Sequence, residues 1–310
     1  DFYKQEQAKK VLRTPAMRGS AHLVLRDDYN VVRSAFLKPP DHPSWDDRYI
    51  HKLRFVDPDI QEYVLENLES LAAKPISIKE FRAAGKMPDE MAKPLANKLC
   101  YQGQMVRIGT DAKWATVLEY VSTQSWLSTI PEPLPQVEAI RLLAPRYFKA
   151  FGPSRIKDFA WWIGCSQKMV KGAIEGLDLV NIQDDLFIHS DLADEFDACT
   201  PAFNNEINIL PQWDAYTMGY AGDGRSRLVK DDYLADLYGK IGATGGNAKP
   251  CLLFNGEAIA TWKPQKKGQR LNIEITGLGK LSTKLKSSIT QEFDEIASFL
   301  ALEKLTVKFA

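Results

Sequence analysis

The sequence predicts an α+β chain in which tandem units, each of three helices and a hairpin, precede a C-terminal mixed β-rich domain. Three observations carry this. The same coarse order of elements occurs twice, within residues 56–130 and 131–200; from about Pro201 the pattern changes to short strands broken by one long helix; and 310 residues, 45% hydrophobic and 26% charged, suffice for several cores.

Residues 1–55 are read as part of a further, incomplete N-terminal unit. RTPAMRGS is turn-rich, AHLVL is strand-like, and the helix that follows opens on Asp27 and Asp28, acids that suit the positive end of its dipole. In 56–130, DIQEYVLENLESLA places Ile60, Val64, Leu68 and Leu71 on one helical face. ISIKEFRAAG gives a short second helix and PDEMAKPLANKLCYQGQ a third, while MVRIGTDAKWATVLEYV alternates about a Gly-Thr-Asp turn like a hairpin. Tyr120 to Pro135, with Pro131, Pro133 and Pro135 close together, is the expected interdomain linker.

In 131–200, PQVEAIRLLAPRYFKAFG carries an apolar stripe that ends at Gly152. Ser154 is positioned to cap the second helix and Ser166 the third, QKMVKGAIEGL; DLVNIQDDLFIHS closes the unit as a hairpin about Asp184 and Asp185. Three helices followed by a two-stranded wing is the winged helix-turn-helix order, whose third helix is shaped for a major groove. In 201–310, EINILP, PCLLFNGEAIATWKP about Asn255-Gly256, RLNIEITGL and KLTVKFA read as strands. The helix between the last two buries Leu285, Ile289, Phe293, Ile296 and Leu300.

Forty basic and forty acidic side chains cancel, but they are not mixed evenly. Arg141 to Lys171 holds seven cations against Asp158, Lys263 to Lys286 holds seven against Glu274, and Glu175 to Asp197 holds eight acids with no Lys or Arg. Such segregation favours a polyanionic partner, although a solvated helix face explains any one block equally well. Cys100, Cys165, Cys199 and Cys251 lie too far apart for a C-x-x-C site, so four buried thiols and no metal are expected. No apolar run approaches the roughly 18 residues of a membrane span. DFYKQEQAKK lacks the core of a signal peptide, so a cytoplasmic location is expected, and the chain is expected to be a monomer.

The run Ile207 to Leu228, INILPQWDAYTMGYAGDGRSRL, reads either as a hairpin with a solvated tip or as a loop holding Arg225 and Arg227 out as a clamp for phosphate. Asp214 among its aromatics could stabilise a cationic transition state, or could accept backbone hydrogen bonds and hold the loop.

Four stretches in order resemble the winged-helix family that includes the bacterial AlkZ and YcaQ DNA glycosylases. They are MRGSAHLVLRDDY (17–29), FGPSRIKDFAWWIGCS (151–166), ILPQWDAYTMGYAGDGRSRL (209–228) and LLFNGEAIATWK (252–263). The resemblance implies tandem winged helices around double-stranded DNA, hydrolysis of N-glycosidic bonds at alkylated or crosslinked purines, and no metal or organic cofactor. It also implies a Gln-x-Gln or Gln-x-Asp motif that positions water. Gln5-Glu6-Gln7 spells that motif but stands only about a dozen residues before Arg18, closer than the family's spacing, so it is read as a polar helix start. The catalytic segment is then expected upstream of residue 1, or absent.

The candidate residues follow. His22 and Asp214 are the candidates for chemistry; Arg18, Ser166, Gln167, Lys168, Lys171, Arg225, Arg227, Lys263, Lys266 and Lys267 are the candidates for DNA contact. The leading function is a DNA-repair N-glycosylase. The alternative is a noncatalytic winged-helix DNA-binding or regulatory protein. A small-molecule enzyme built on Asp214 and His22 has no phosphate loop, metal spacing or nucleophile elbow to support it.

Overall fold

The computed structural model describes residues 2–36, 57–110, 117–129, 132–200, 204–239 and 247–310. The chain forms two compact units, Asp1–Ala144 with Ile163–Glu175, and Pro145–Trp162 with Gly176–Ala310.

The first unit opens with α1 (Phe2–Gln7), then β1 (Val11–Pro15) and β2 (Ala21–Leu25), and α2 (Tyr29–Phe36). In RTPAMRGS, Arg13 to Pro15 is strand, and the turn-rich reading holds for the rest, where Met17–Gly19 is a 3₁₀ turn. Pro15 is tolerated because β1 meets β3 only at Arg13↔Arg107, so its last residues owe that neighbour no N–H. A winged unit follows: α3 (Pro58–Glu66), α4 (Leu68–Leu71), α5 (Ile78–Ala84), α6 (Asp89–Tyr101), β3 (Met105–Gly109) and β4 (Leu118–Ser122). Ser77 caps α5 in a reciprocal capping box with Glu80. Val64, Leu68, Phe81, Met91, Leu95 and Leu99 close one core. The Gly-Thr-Asp turn expected between β3 and β4 extends beyond the described residues.

The sheet runs β2–β1–β3–β4, so the N-terminal hairpin extends the wing of this unit. Glu6, 1% exposed, accepts from Arg13 Nε at 3.0 Å and Nη2 at 3.1 Å, which pins α1 to the sheet. The expected linker is shorter than the sequence suggested. Tyr120 to Ser122 is strand and Thr123–Leu127 is α7, capped by Ser122.

The second repeat comprises α8 (Gln136–Phe151), β5 (Ser154–Arg155), α9 (Ile156–Ile163), α10 (Gln167–Ile174), β6 (Leu179–Gln183) and β7 (Leu186–His189), and its residues are divided between the two units. The repeats share a detail no periodicity shows. The segment before each second helix pairs with the last wing strand, Ile76 with Tyr120 and Ser154 with Phe187.

In the second unit α11 (Ala193–Ala198) leads to β8 (Ile207–Leu210), and α12 (Leu234–Tyr238) follows a turn-rich stretch. β9 (Cys251–Phe254), β10 (Glu257–Lys267), β11 (Arg270–Gly277), α13 (Thr283–Phe299) and β12 (Lys304–Phe309) complete it. The sheet order is β12–β11–β10–β9–β8, with β11 and β12 parallel. Asn255 (φ 48°) and Gly256 (φ 84°) make the expected tight turn between β9 and β10. Ile289 and Phe293 of α13 pack against Leu271, Ile273 and Ile275, leaving alternate residues of β11 on the opposite, open face.

The expectation of four buried thiols is half right. Cys100 and Cys251 are buried, and burial raises their thiols to about 11 and about 12; Cys165 is half-buried and Cys199 exposed.

Candidate nucleic-acid interface

In the first unit the turn from β1 to β2 is fixed tightly. Ala16 N–H donates to Ser20 O at 2.8 Å, Arg18 (φ 50°) and Gly19 (φ 84°) take left-handed conformations, and the Tyr101 hydroxyl donates to Gly19 O at 2.6 Å. Holding a non-glycine residue at positive φ requires surroundings that over-determine it, and here they aim Arg18 at a particular neighbour. A Cβ placed on Gly164 would lie 3.7 Å from Arg18 Cγ, so the arginine stem passes the turn that leads into α10. The two stretches are about 145 residues apart in sequence.

Ser166 starts α10 as expected, its Oγ accepting from Met169 N–H at 3.2 Å. Val170, Ala173 and Ile174 are buried, whereas Gln167, Lys168 and Lys171 are exposed. Lys168 and Lys171 stand one turn apart on that face. The helix C-terminus is closed by Arg141, whose Nη1 donates to Ala173 O at 3.1 Å and Glu175 O at 2.6 Å, satisfying carbonyls that lack a helical partner. Arg141 therefore leaves the basic block of 141–171 to serve structure. Lys149 pairs with Asp191, and Arg155 and Lys157 pair with Asp223, so three of the seven cations of that block are neutralised.

His22 sits on β2 with Nδ1 2.9 Å from Ser20 O. A carbonyl oxygen only accepts, so Nδ1 carries the proton and Nε2 presents a lone pair. Burial chiefly, and the charge of Arg18, lower its pKa, while the Ser20 hydrogen bond opposes them. The neutral ring therefore accepts at Nε2, which suits an amino group or water and does not suit donation to phosphate.

The run 207–228 is not a hairpin. Ile207–Leu210 pairs with β9, and the remainder folds as turns and a 3₁₀ helix over Gly222–Arg227. Asp214 Oδ1 accepts from Tyr216 N–H at 2.9 Å, and its carbonyl accepts from Thr217 Oγ1 and Met218 N–H, so the carboxylate shapes the turn. Arg225 is 2% exposed; its guanidinium lies 4.2 Å from the Tyr238 ring centre and 5.1 Å from that of Trp161, and Nε donates to Tyr220 O. A guanidinium buried between rings holds the loop and does not clamp phosphate. Arg227 is exposed, lies over Tyr220 at 4.3 Å and donates to Pro153 O at 2.6 Å.

The residue that sequence reading passed over is Asp158. Fully buried, it accepts from Arg155 N–H, Nε and Nη2 and from Ala221 N–H, all at 2.8–3.0 Å. Arg155 and Lys157 then hold Asp223, whose carboxyl they lower to about 2. The i, i+3 spacing of Arg155 and Asp158 was the available signal. Lys263 and Lys267 share one face of β10, but Lys266 points to the other and donates to Gly268 O.

Two repeats of a helix, a short segment paired to the wing, two further helices and a two-stranded wing define a tandem winged-helix protein of the nucleic-acid-binding class. The profile described as DNA glycosylase AlkZ-like matches residues 1–299, and the chain belongs to that family of DNA-repair glycosylases. Its fold is similar to that of the Streptomyces sahachiroi DNA glycosylase AlkZ, with a TM-score of 0.71 at 18% identity, over 99% of this chain and 84% of the other. No curated protein sequence gives a significant match. No helix among the described residues is long and apolar enough to cross a membrane.

Proposed function

We propose that this protein is a monofunctional DNA N-glycosylase that removes alkylated or crosslinked purines from duplex DNA, acting as a cytoplasmic monomer without a cofactor. The observation that carries the DNA-contact part is the meeting of Arg18 with Gly164 at the head of α10, which gathers Arg18, Ser166, Gln167, Lys168 and Lys171 on one compact unit. A helix of this kind in a groove contacts phosphates through its lysines and base edges through its N-terminal polar residues.

The reaction breaks the bond from C1′ of the sugar to the purine nitrogen and joins the oxygen of water to C1′ as a hydroxyl, the water's other proton passing to solvent. An alkylated purine already carries positive charge and leaves as the neutral base. The protein's task is then to position the water and stabilise the cationic sugar. His22, with a free acceptor at Nε2 in the neutral ring, suits a water or exocyclic amine next to Arg18. Asp214 is committed to its turn. Gln5 and Gln7 are exposed on α1 on either side of buried Glu6, an arrangement in which α1 serves the sheet.

Base release from a duplex carrying an N7-alkylated purine, followed by chromatography of the free base, tests the chemistry. Lys168→Ala/Lys171→Ala is expected to lower the slope of log affinity against log salt by about 1.8, near 0.9 per lost phosphate contact. DNA binding without release from any alkylated substrate would leave the noncatalytic scaffold as the function, and an unchanged slope would remove α10 from the interface.

A further inference from the structure

The open face of the C-terminal sheet carries charge in an order that the β-strand register makes explicit. Lys267 pairs with Arg270, and Arg270 with Lys304, so three exposed cations stand side by side across β10, β11 and β12. Two residues along, Gln265, Asn272 and Thr306 form an uncharged row; two further, Lys263 and Lys308 flank Glu274. Partners in register point to the same side, and here that side is opposite α13. The face thus holds five cations and one carboxylate. At its end a groove of about 480 Å³, lined by Gln212, Lys249, Thr261 and Thr276 among others, adds a further lysine. Like charges directly opposite one another weaken a sheet, so a triple row of them is a cost to the fold that a polyanion would relieve.

From this we infer that the open face of β10–β11–β12 is a second DNA-contact surface, on which the phosphates of the two strands bordering a groove of duplex DNA seat on the two cationic rows. The dimensions argue for it. With strands about 4.8 Å apart the Lys267–Arg270–Lys304 row spans about 10 Å, and four residues along β10 separate the two rows by about 13 Å. The major groove is roughly 12 Å wide. The amides of Gln265 and Asn272 lie midway, where base edges would be met. No apolar side chain occurs in these rows, which distinguishes the face from one that inserts into lipid.

The inference rests on the DNA-binding reading above, and the test separates the two. Lys267→Ala/Arg270→Ala/Lys304→Ala in the full chain changes only exposed side chains. Its affinity for an undamaged duplex, measured by fluorescence anisotropy across a salt series, is compared with the wild type and with Lys168→Ala/Lys171→Ala. The triple variant is expected to lose about 2.7 from the salt slope; between about 50 and about 200 mM salt the wild type then weakens about 40-fold more than the variant. Glu274→Gln is expected to tighten binding. A wild-type slope and affinity in the triple variant, with a reduced slope in the α10 variant, would overturn this inference and leave the α10 interface standing. No duplex binding by the wild type would overturn both. Loss in the triple variant of binding to anionic phospholipid vesicles, with duplex binding unchanged, would overturn it in favour of a membrane surface.

Discussion

Asp158→Asn should destabilise the second unit more than any single change at its surface. The native carboxylate takes four hydrogen bonds: Oδ1 accepts from Arg155 Nη2 at 2.8 Å and Ala221 N–H at 3.0 Å, and Oδ2 from Arg155 N–H at 3.0 Å and Nε at 2.9 Å. Asparagine has one oxygen, so in either orientation two donors face an amide N–H₂. One lost bond is charge-assisted, worth about 1.5–3 kcal/mol, and the other involves a backbone amide, worth about 0.5–1.5 kcal/mol. Breaking one side of a buried pair costs about 3–5 kcal/mol in all. Arg155 keeps Asp223 at 2.9 Å, which places the expected loss at the lower end, about 3 kcal/mol. For a unit of about 150 residues this lowers the melting temperature by about 6–12 °C. Guanidinium unfolding followed through the near-ultraviolet signal of the tryptophans, Trp161 and Trp162 among them, reads the loss. Asp223→Asn is the internal comparison: that carboxylate is 45% exposed, and its removal should cost under about 1 kcal/mol. A loss below about 1 kcal/mol for Asp158→Asn, or equal losses for the two variants, would refute the reasoning.

Arg225→Ala should destabilise the same unit by about 2–3 kcal/mol, since a desolvated cation over aromatic rings is worth about 2 kcal/mol; the salt slope of DNA binding should not move, and a change of about 1 in that slope would return Arg225 to the interface. Gly219→Ala puts a Cβ 2.6 Å from the Phe151 ring, itself packed against Tyr147, Trp162 and Tyr220, for an expected cost of about 1–3 kcal/mol in a chemical melt. Gly172→Ala, with open space around it on α10, should instead stabilise by about 0.5–1 kcal/mol. Acid should weaken the second unit through Asp223. Its folded pKa, about 2, is below the usual 3.8, so its contribution is present above about pH 4 and fades as pH falls toward 2; Asp223→Asn should flatten that part of the stability profile.

Local pattern made much of the fold legible. The capped start of α10 at Ser166, the end of α8 before Gly152, the Asn255-Gly256 turn and the buried stripe of α13 each follow from residues within a few positions of one another. What escaped the sequence is set by partners far along the chain. Arg13 to Pro15 reads as turn because Pro15 and the nearby Gly19 mark a bend, yet a pairing partner in β2 and another at Arg107 make these residues strand. α7 was lost inside a proline-rich linker because its cap, Ser122, is the last residue of a strand. The basic block of 141–171 looked like a polyanion face, but pairing with Asp158, Asp191 and Asp223 takes up Lys149, Arg155 and Lys157, and Arg141 closes the end of α10.

The same distinction governs the stretch 209–228, the most specific family feature of the sequence. Glycines followed by arginines suggest a loop that offers charge to a ligand, and the structure turns that inference inward. Gly219 is glycine because Phe151 occupies the place of a Cβ, and Gly224 because Arg155 Nη2 and Asp158 Oδ1 lie 2.6 and 3.0 Å from where one would be. The small residues admit neighbouring side chains, and Arg225 fills the space between Trp161 and Tyr238. A signature read as recognition is thus first a packing device. The charges proposed to meet DNA stand where the backbone is regular, on the exposed turn of α10 and on the open rows of the C-terminal sheet, where regular elements space their side chains at intervals that a duplex can match.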